Sequence, residues 1–158
     1  MKSKAFLKTP LGYALLEGDA AGISRFILTD EDNLPNTTPA PEFTEAVSQL
    51  EEYFVGQRKE FDLQLNPQGT EFQKRVWQAL QDIPYGKTTS YMELSKQLGD
   101  PLAIRAVAAA NGKNPLWILI PCHRVIGSDG SLTGYAGGLW RKKWLLEHEQ
   151  QEKQQSLF

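Results

Sequence analysis

The only cysteine of the chain stands beside one of its two histidines. In the segment Pro121-Cys122-His123-Arg124-Val125, the cysteine follows an apolar run from Leu116 to Ile120. A single thiol cannot form a disulfide within the chain, and it cannot build a cysteine-rich metal site. Two roles stay open. The thiol is either inert core filler, because unpaired cysteine is often buried, or a nucleophile activated by the neighbouring His123 and Arg124.

A nucleophilic Cys122 needs a base. A free thiol has a pKa of about 8.5, and apolar burial raises it further. His123 is the adjacent candidate. Neighbouring side chains on an extended chain point to opposite sides, so His123 can serve Cys122 only across a turn or through a water molecule. The chemistry therefore depends on the elements that position these two residues.

The first part of the chain predicts a small α/β unit. Turn residues separate three short strands, and a polar linker over 33–41 precedes an amphipathic helix and one more strand. The predicted elements are the strands Ala5–Lys8, Gly12–Leu16 and Gly22–Leu28, the helix Glu42–Val55 and the strand Glu60–Asn66. This part has no metal-ligand spacing and no phosphate-binding loop, so we interpret it as structural.

Helices predominate from Thr70 onward. Thr70 caps a helix that ends before Pro84, Ser90 caps a second helix over 91–98, and a Gly99-Asp100-Pro101 turn leads into a third over 102–111. Two short helices joined by a Gly-containing turn are typical of a helix-turn-helix. The third helix is alanine-rich around one cation, Arg105. Either it packs closely against another helix, or it enters a DNA groove and inserts Arg105 into the base stack.

Charge is unevenly distributed along the chain. Residues 1–62 hold 11 acidic and 6 basic side chains, whereas residues 66–146 hold 5 acidic and 10 basic ones, within a formal net charge of -2. The basic second half fits contact with phosphate, and a solvated surface of mixed sign is the alternative. We find no apolar run of about 18 residues and no signal peptide. With a free thiol, this predicts a cytoplasmic protein without membrane contact.

The second half resembles the O6-alkylguanine-DNA alkyltransferases, also called methylated-DNA–protein-cysteine methyltransferases, of the bacterial constitutive type. The resemblance covers about 69 to 149 and rests on segments in the order and spacing of the family. These are Thr88-Thr89-Ser90-Tyr91, Ile104-Arg105-Ala106-Val107, Ala110-Asn111-Gly112-Lys113-Asn114-Pro115, Ile120-Pro121-Cys122-His123-Arg124-Val125-Ile126, Thr133-Gly134-Tyr135-Ala136-Gly137-Gly138 and Trp144-Leu145-Leu146-Glu147-His148-Glu149. The N-terminal half is similar only loosely, and it lacks the zinc ligands that some relatives carry.

The resulting fold class is α/β. We expect a small N-terminal α/β domain with a short antiparallel sheet (1–68), a mostly helical C-terminal domain with a helix-turn-helix (69–149), and a flexible tail (150–158). The resemblance implies a monomeric repair protein acting on double-stranded DNA that carries O6-alkylguanine, with O4-alkylthymine as a further candidate. A Cys122 thiolate would attack the alkyl carbon of a flipped base and keep the alkyl group as a thioether. Each molecule would react once, without cofactor or metal. The alternative is a non-enzymatic helix-turn-helix DNA-binding protein, either a damage sensor or a transcription regulator.

The resemblance also implies roles for single residues. His123 would act through water and be oriented by a carboxylate that matches Glu149, with Glu147 as the other candidate. Tyr91 would turn the phosphate and give its hydroxyl proton to the leaving purine, and Arg105 would fill the vacated stack. The DNA-contacting residues would be Ser90, Tyr91, Ala103, Arg105, Ala106, Ala109 and Lys113.

A substrate pocket is implied around Cys122. Its residues would be Asn114, Val125, Tyr135, Ala136 and Lys142. Backbone groups of Cys122, Val125 and Ala136 would read the guanine edge, Tyr135 would form a wall, and Lys142 would support Tyr91. Asn114 would join the DNA-reading helix to the Cys122 strand, although a simple turn residue before Pro115 is the alternative. Arg124 is expected to be a structural ion-pair partner.

Two further hypotheses concern the substrate pocket and the C-terminal tail. The first rests on two departures from better-known relatives. Ala136 stands where some relatives have serine, and Trp117 stands where others have smaller residues. The small Ala136 side chain leads us to expect tolerance for alkyl groups larger than methyl. The C-terminal Gln154-Gln155-Ser156-Leu157-Phe158 resembles the pentapeptide that docks bacterial repair proteins on the replication sliding clamp, and folding back onto the domain is the alternative.

Overall fold

The computed structural model describes residues 2–31 and 40–155, with side chains described as far as residue 150. The chain divides into two compact units, Met1–Gln68 and Gly69–Phe158. Within the described residues, no helix has the length and apolar character that crossing a membrane requires.

The first unit is built on a three-stranded antiparallel sheet. Strands β1 (Ser3–Thr9), β2 (Gly12–Asp19) and β3 (Gly22–Thr29) pair in the order β1-β2-β3. Alternate residues of β2 are buried, as period-two patterning requires. A 3-10 turn, Pro41–Phe43, leads into helix α1 (Thr44–Phe54). The three predicted strands and the helix are confirmed, while the predicted linker falls largely on residues 32–39, outside the described residues.

The strand predicted over Glu60–Asn66 is wrong. Only Leu65 forms a bridge, parallel to Ile23. The backbone of Asp62 is bonded instead by a side chain: its N–H donates to Gln49 Oε1 at 2.9 Å, and its carbonyl accepts from Gln49 Nε2 at 3.1 Å. The buried amide thus satisfies the backbone of Asp62, while the Gln64 carbonyl and the Asn66 N–H bond to Ile23, and alternation in the sequence could not reveal this division.

The second unit begins with capped helices. Helix α2 (Glu71–Leu80) has a reciprocal capping box between Thr70 and Gln73, and Ser90 caps helix α3 (Tyr91–Gln97). A turn with Gly99 at φ +90° and a 3-10 turn precede helix α4 (Ile104–Gly112). The three predicted helices are confirmed. Helix α4 packs inward through Val107 and Ala110, as expected of an alanine-rich helix, and Arg105 is exposed on its other side.

The rest of the second unit carries the cysteine. Cys122–Arg124 forms a 3-10 turn that leads into strand β5 (Val125–Ile126), which pairs in parallel with β4 (Thr89–Ser90). The expected Cys122 strand is therefore a helical turn. Helix α5 (Leu139–Gln155) closes the unit. The tail predicted to be flexible from residue 150 continues this helix to Gln155, because Glu, Gln and Lys favour helix. The last residues of the clamp-like peptide, 156–158, lie outside the described residues.

Candidate active site

A rigid loop leads into Cys122. The Ile118 backbone has φ +71°, and Leu119 N donates to the Trp117 carbonyl at 2.7 Å. This is the tight γ-turn that is rare and strained for a branched residue. Pro121, at φ -80° and ψ 64°, then forms an inverse γ-turn in which Cys122 N donates to the Ile120 carbonyl at 2.8 Å. Two consecutive tight turns thus fix the approach to the cysteine.

The Asn114 side chain holds this loop closed. Its Oδ1 accepts from Leu116 N at 2.9 Å, and its Nδ2 donates to the carbonyls of Ile120 at 2.8 Å and Leu116 at 3.3 Å. A second contact with the Cys122 segment comes from a residue of α4 that the sequence did not single out. Asn111, near the end of α4, donates from Nδ2 to the Cys122 carbonyl at 3.4 Å. Its only sequence signal was an Asn-Gly pair, which is typical of a helix end.

The Cys122 thiol is enclosed. Only 4% of the residue is exposed, and this burial raises its pKa to about 11, against smaller opposing effects from an Asn114 hydrogen bond and the Lys142 charge. The thiol is therefore protonated at neutral pH. It can become a nucleophile only if a nearby group takes its proton.

A buried network of His123, Glu149 and Arg124 lies beside the thiol. His123 Nε2 is 2.7 Å from Glu149 Oε2, and Arg124 donates to both Glu149 oxygens, from Nε at 2.8 Å and from an Nη at 3.1 Å. Burial opposes the charge on Glu149, but His123 and Arg124 outweigh it and hold the pKa of this carboxyl well below its usual range. Glu147 instead lies on the surface, 4.0 Å from Lys143.

The network leaves one ring nitrogen of His123 available. An ionised Glu149 accepts a hydrogen bond from the Nε2–H group, which leaves Nδ1 of the neutral ring as an acceptor. Nδ1 is buried and has no hydrogen-bond partner among the residues that the structure describes. Because Cys122 and His123 are consecutive in a 3-10 turn rather than a strand, their side chains do not point to opposite sides. The residue next to the thiol thus carries a buried nitrogen that can accept a proton.

Lys142 ties the pocket wall together. Its Nζ donates to the carbonyls of Val125 at 2.7 Å and Thr133 at 2.8 Å, with Gly134 O at 3.4 Å. Burial lowers its pKa to about 8. The Tyr91 hydroxyl lies 3.5 Å from the same Thr133 carbonyl, and its ring is 6.0 Å from Nζ. Lys142 therefore holds the strand after the cysteine, the 133–134 loop and the Tyr91 ring in one arrangement.

A cavity of about 500 Å³ lies between α4 and this loop. The residues that line it are Tyr91, Ile104, Arg105, Ala108, Asn111, Gly112, Thr133, Gly134, Tyr135 and Ala136. Tyr135 is backed by the Trp117 ring at 5.6 Å, and a Cβ on Gly137 would lie 2.9 Å from each of these rings. The volume suits one small ligand such as a purine.

Several other residues that the resemblance implied lie on the outer side of α3 and α4. Ala106, Ala109 and Lys113 are exposed, and Ala103 and Ser90 are half-buried. Cys122 is not among the residues that line the cavity. Within the described part of the chain, no group of three or more His, Cys, Asp or Glu residues could hold a metal ion.

Comparison with known proteins gives a consistent result over both units. A family model described as 6-O-methylguanine DNA methyltransferase, DNA binding domain, matches residues 71–151, and its ribonuclease-like domain model matches residues 3–67. A methylated-DNA–protein-cysteine methyltransferase from Methanosarcina acetivorans is 49% identical over 150 residues, covering 92% of this chain and 96% of the relative. One from Mycobacterium leprae is 48% identical over 155 residues, covering 96% and 94%.

Solved structures agree. The crystal structure of a Mycobacterium tuberculosis O6-methylguanine methyltransferase has a TM-score of 0.85 at 46% identity, covering 96% of this chain and 94% of that one. A structure of the Mycobacterium tuberculosis protein in complex with DNA also has a TM-score of 0.85 at 46% identity, covering 94% and 92%.

Proposed function

Because this chain belongs to the methylated-DNA–protein-cysteine methyltransferase family, we propose that it repairs DNA by moving an alkyl group from O6 of guanine to Cys122. A bond forms between Sγ and the alkyl carbon while the bond from that carbon to O6 breaks. The thiol proton passes to His123, and the leaving purine takes up a proton from Tyr91. The product is a thioether, so each molecule reacts once.

The observation that carries this proposal is the pairing of an enclosed thiol with an unoccupied His123 Nδ1. Burial raises the Cys122 pKa to about 11, which would leave the thiol inert at neutral pH without a base. The carboxylate of Glu149 fixes the opposite ring nitrogen at 2.7 Å. A base oriented by a buried acid is the arrangement by which proteins activate a nucleophile, and inert core filler would not need it.

The DNA-facing surface is proposed to be the exposed side of α4, in a helix-turn-helix formed with α3. Arg105 is exposed on α4 and also lines the cavity, so one guanidinium can reach both the groove and the entrance of the pocket. Inserting it into the duplex would compensate for the unstacked base. We further propose that the protein acts as a monomer in the cytoplasm, where the thiol stays reduced.

The test is a single incubation with a duplex that carries labelled O6-methylguanine, followed by intact mass measurement. We expect a gain of one methyl group on Cys122, and no gain with an unmodified duplex. Cys122→Ser should lose transfer and keep binding, since the exposed face of α4 is unchanged. Binding without any mass gain by the wild-type chain would contradict the proposal and would favour the damage sensor or regulator.

Two secondary proposals, on alkyl-group size and on clamp binding, rest on the sequence alone. Tolerance for alkyl groups larger than methyl is tested with a benzyl-guanine oligonucleotide, and a reaction confined to methyl would refute it. Weak binding to the sliding clamp through Leu157 and Phe158 is tested by titrating the clamp with the full chain and with a chain ending at Lys153. Equal binding by both chains would exclude the clamp peptide while leaving the alkyl transfer unaffected.

A further inference from the structure

Leu102 displays an apolar side chain at the turn between α3 and α4. The residue is 91% exposed, more than any other large apolar residue that the structure describes. Its backbone is fixed: Leu102 N donates to Asp100 Oδ1 at 3.0 Å, and Ala103 N donates to the Asp100 carbonyl at 3.0 Å. The preceding Pro101 restricts the turn further. Single exposed leucines are ordinary on a protein surface, so the significance of this one depends on its surroundings.

Leu102 extends the exposed side of α4. Side chains three positions apart eclipse in a 3-10 turn and are neighbours on an α-helix, so Leu102 lies on the same side as Arg105. Ala106 and Ala109 are exposed on this side as well. Together, Leu102, Ala106 and Ala109 form an apolar strip around Arg105. Because Arg105 lines the cavity and Leu102 does not, the strip reaches beyond the base pocket.

Charge indicates which part of a duplex this strip fits. Residues 98–104 include one charged side chain, the anionic Asp100, and no lysine or arginine. The last cation before the turn, Lys96, lies 3.5 Å from Glu93. Strong contact with phosphate depends on cations, which displace the counter-ions of the duplex. The turn therefore suits the uncharged sugars and base edges inside a groove rather than the phosphates at its border.

We infer that Leu102 is a DNA-binding residue whose side chain packs against sugars and base edges in the groove that α4 enters, one turn before Arg105. Proteins that enter the minor groove often place apolar side chains, leucine among them, against or between the base pairs. The exposed side chain would leave water on binding, which stabilises the complex. This inference rests on the proposed function, and it adds a large apolar contact to the DNA-facing surface.

The experiment measures the dissociation constant for an unmodified duplex, together with the rates of methyl transfer from an O6-methylguanine duplex and from the free modified base. Leu102→Ala should weaken duplex binding and slow duplex transfer by about tenfold, the effect of burying most of a leucine side chain. Transfer from the free base should be unchanged, because Leu102 lies outside the cavity. The slope of log Kd against log salt should also be unchanged, since an apolar contact displaces no counter-ions. Leu102→Met keeps an apolar side chain of similar size and should keep wild-type binding.

Val55→Ala is the matched control. Val55 is a 69% exposed apolar residue of the first unit, so the change removes exposed apolar surface without altering the second unit. Its duplex binding and both transfer rates should equal those of the wild-type chain. Because the Leu102 side chain lies in solvent, Leu102→Ala should melt at the wild-type temperature, and light scattering should give both chains the same mass in the absence of DNA.

Four results would overturn the inference. Leu102→Ala could bind the duplex as tightly as the wild-type chain, Leu102→Met could lose as much binding as Leu102→Ala, or Leu102→Ala could lose transfer equally from the free base. A lower mass of free Leu102→Ala would assign the strip to contact between copies of the chain. A wild-type chain that binds the duplex but gains no methyl would instead refute the proposed transfer, and the dissociation constants would still decide the role of Leu102.

Discussion

Glu149→Gln is the substitution that tests the active-site network most directly. Three hydrogen bonds converge on this carboxylate, from His123 and Arg124. The amide keeps the shape but removes the charge, and it turns one acceptor into a donor that faces another donor. Arg124 is only 6% exposed, so its charge remains buried without its counter-ion. Removing one partner of a buried ion pair costs about 3–5 kcal/mol.

Stability and transfer should both respond. The melting temperature of the chain should fall by roughly 10 °C, from about 2–4 °C per kcal/mol for a protein of this size. All four tryptophans lie at positions 77 to 144, so their fluorescence follows the unfolding of the second unit. Transfer at pH 7 should slow at least about hundredfold, because general-base catalysis contributes about 10²–10⁴-fold and His123 loses the acceptor that orients it.

The contribution of Glu149 to the unfolding free energy should depend on pH in one direction. The folded pKa of Glu149 lies well below the ordinary value of 4.5. Its contribution to stability is therefore complete above pH 4.5 and is lost as the pH falls below that value toward the folded pKa. The difference in unfolding free energy between the wild-type chain and Glu149→Gln should narrow on acidification below pH 4.5.

Glu147→Gln is the control, two residues away on the same helix. Its side chain is 63% exposed and lies 4.0 Å from Lys143, so the change should cost less than about 1 kcal/mol and leave transfer intact. If Glu149→Gln is as stable and as fast as Glu147→Gln, the reasoning about the network is refuted.

Three further predictions address other parts of the second unit. Because burial lowers the Lys142 pKa from 10.5 to about 8, the unfolded chain binds a proton between these values that the folded chain lacks. In denaturant titrations, the unfolding free energy of the wild-type chain should therefore rise relative to that of Lys142→Met by about 1.4 kcal/mol for each pH unit from about 8 to 10.5. A difference in unfolding free energy that does not change with pH would contradict the effect assigned to burial. Ile118→Gly should be about 1–2 kcal/mol more stable than Ile118→Ala, since both lack the side chain and only glycine accepts φ +71° without strain; equal melting would show that the turn stores no strain. Arg105→Ala should slow transfer from duplex DNA far more than from the free modified base, as only the duplex needs a base extruded, and equal losses would exclude a wedge role.

The parts of the fold that the sequence predicted well are those with local causes. Thr70 and Ser90 were identified as caps because a cap bonds a backbone group three residues away. Turn residues marked the three strands of the first sheet for the same reason. The pairing of Gln49 with Asp62 replaced a strand that local alternation favoured, because an amide from a helix satisfied the backbone.

The residues of the candidate site also differ in whether local sequence or long-range contact identifies them. The lone Cys122 and its basic neighbours were visible as a short pattern. The choice between Glu147 and Glu149 depended on which side of α5 packs inward. The spacing of the family motif could only suggest the answer, whereas the contact of Glu149 with His123 and the surface position of Glu147 show it. Asn111 was missed, since its partner is a carbonyl 11 positions away, reached only after the loop has folded back on α4.

The rigid loop that leads into Cys122 bears on how many copies of the protein are needed rather than on how fast each copy reacts. A catalyst that cycles must let its product go and return to its starting shape, so a nucleophile held by two γ-turns and the Asn114 amide would be a handicap. A protein that keeps the alkyl group has no product to release and no second cycle to prepare for. Under the proposed single transfer, the lasting limit is stoichiometry: the number of lesions a cell can reverse would equal the number of unreacted copies it holds, and recovery after damage would depend on protein synthesis.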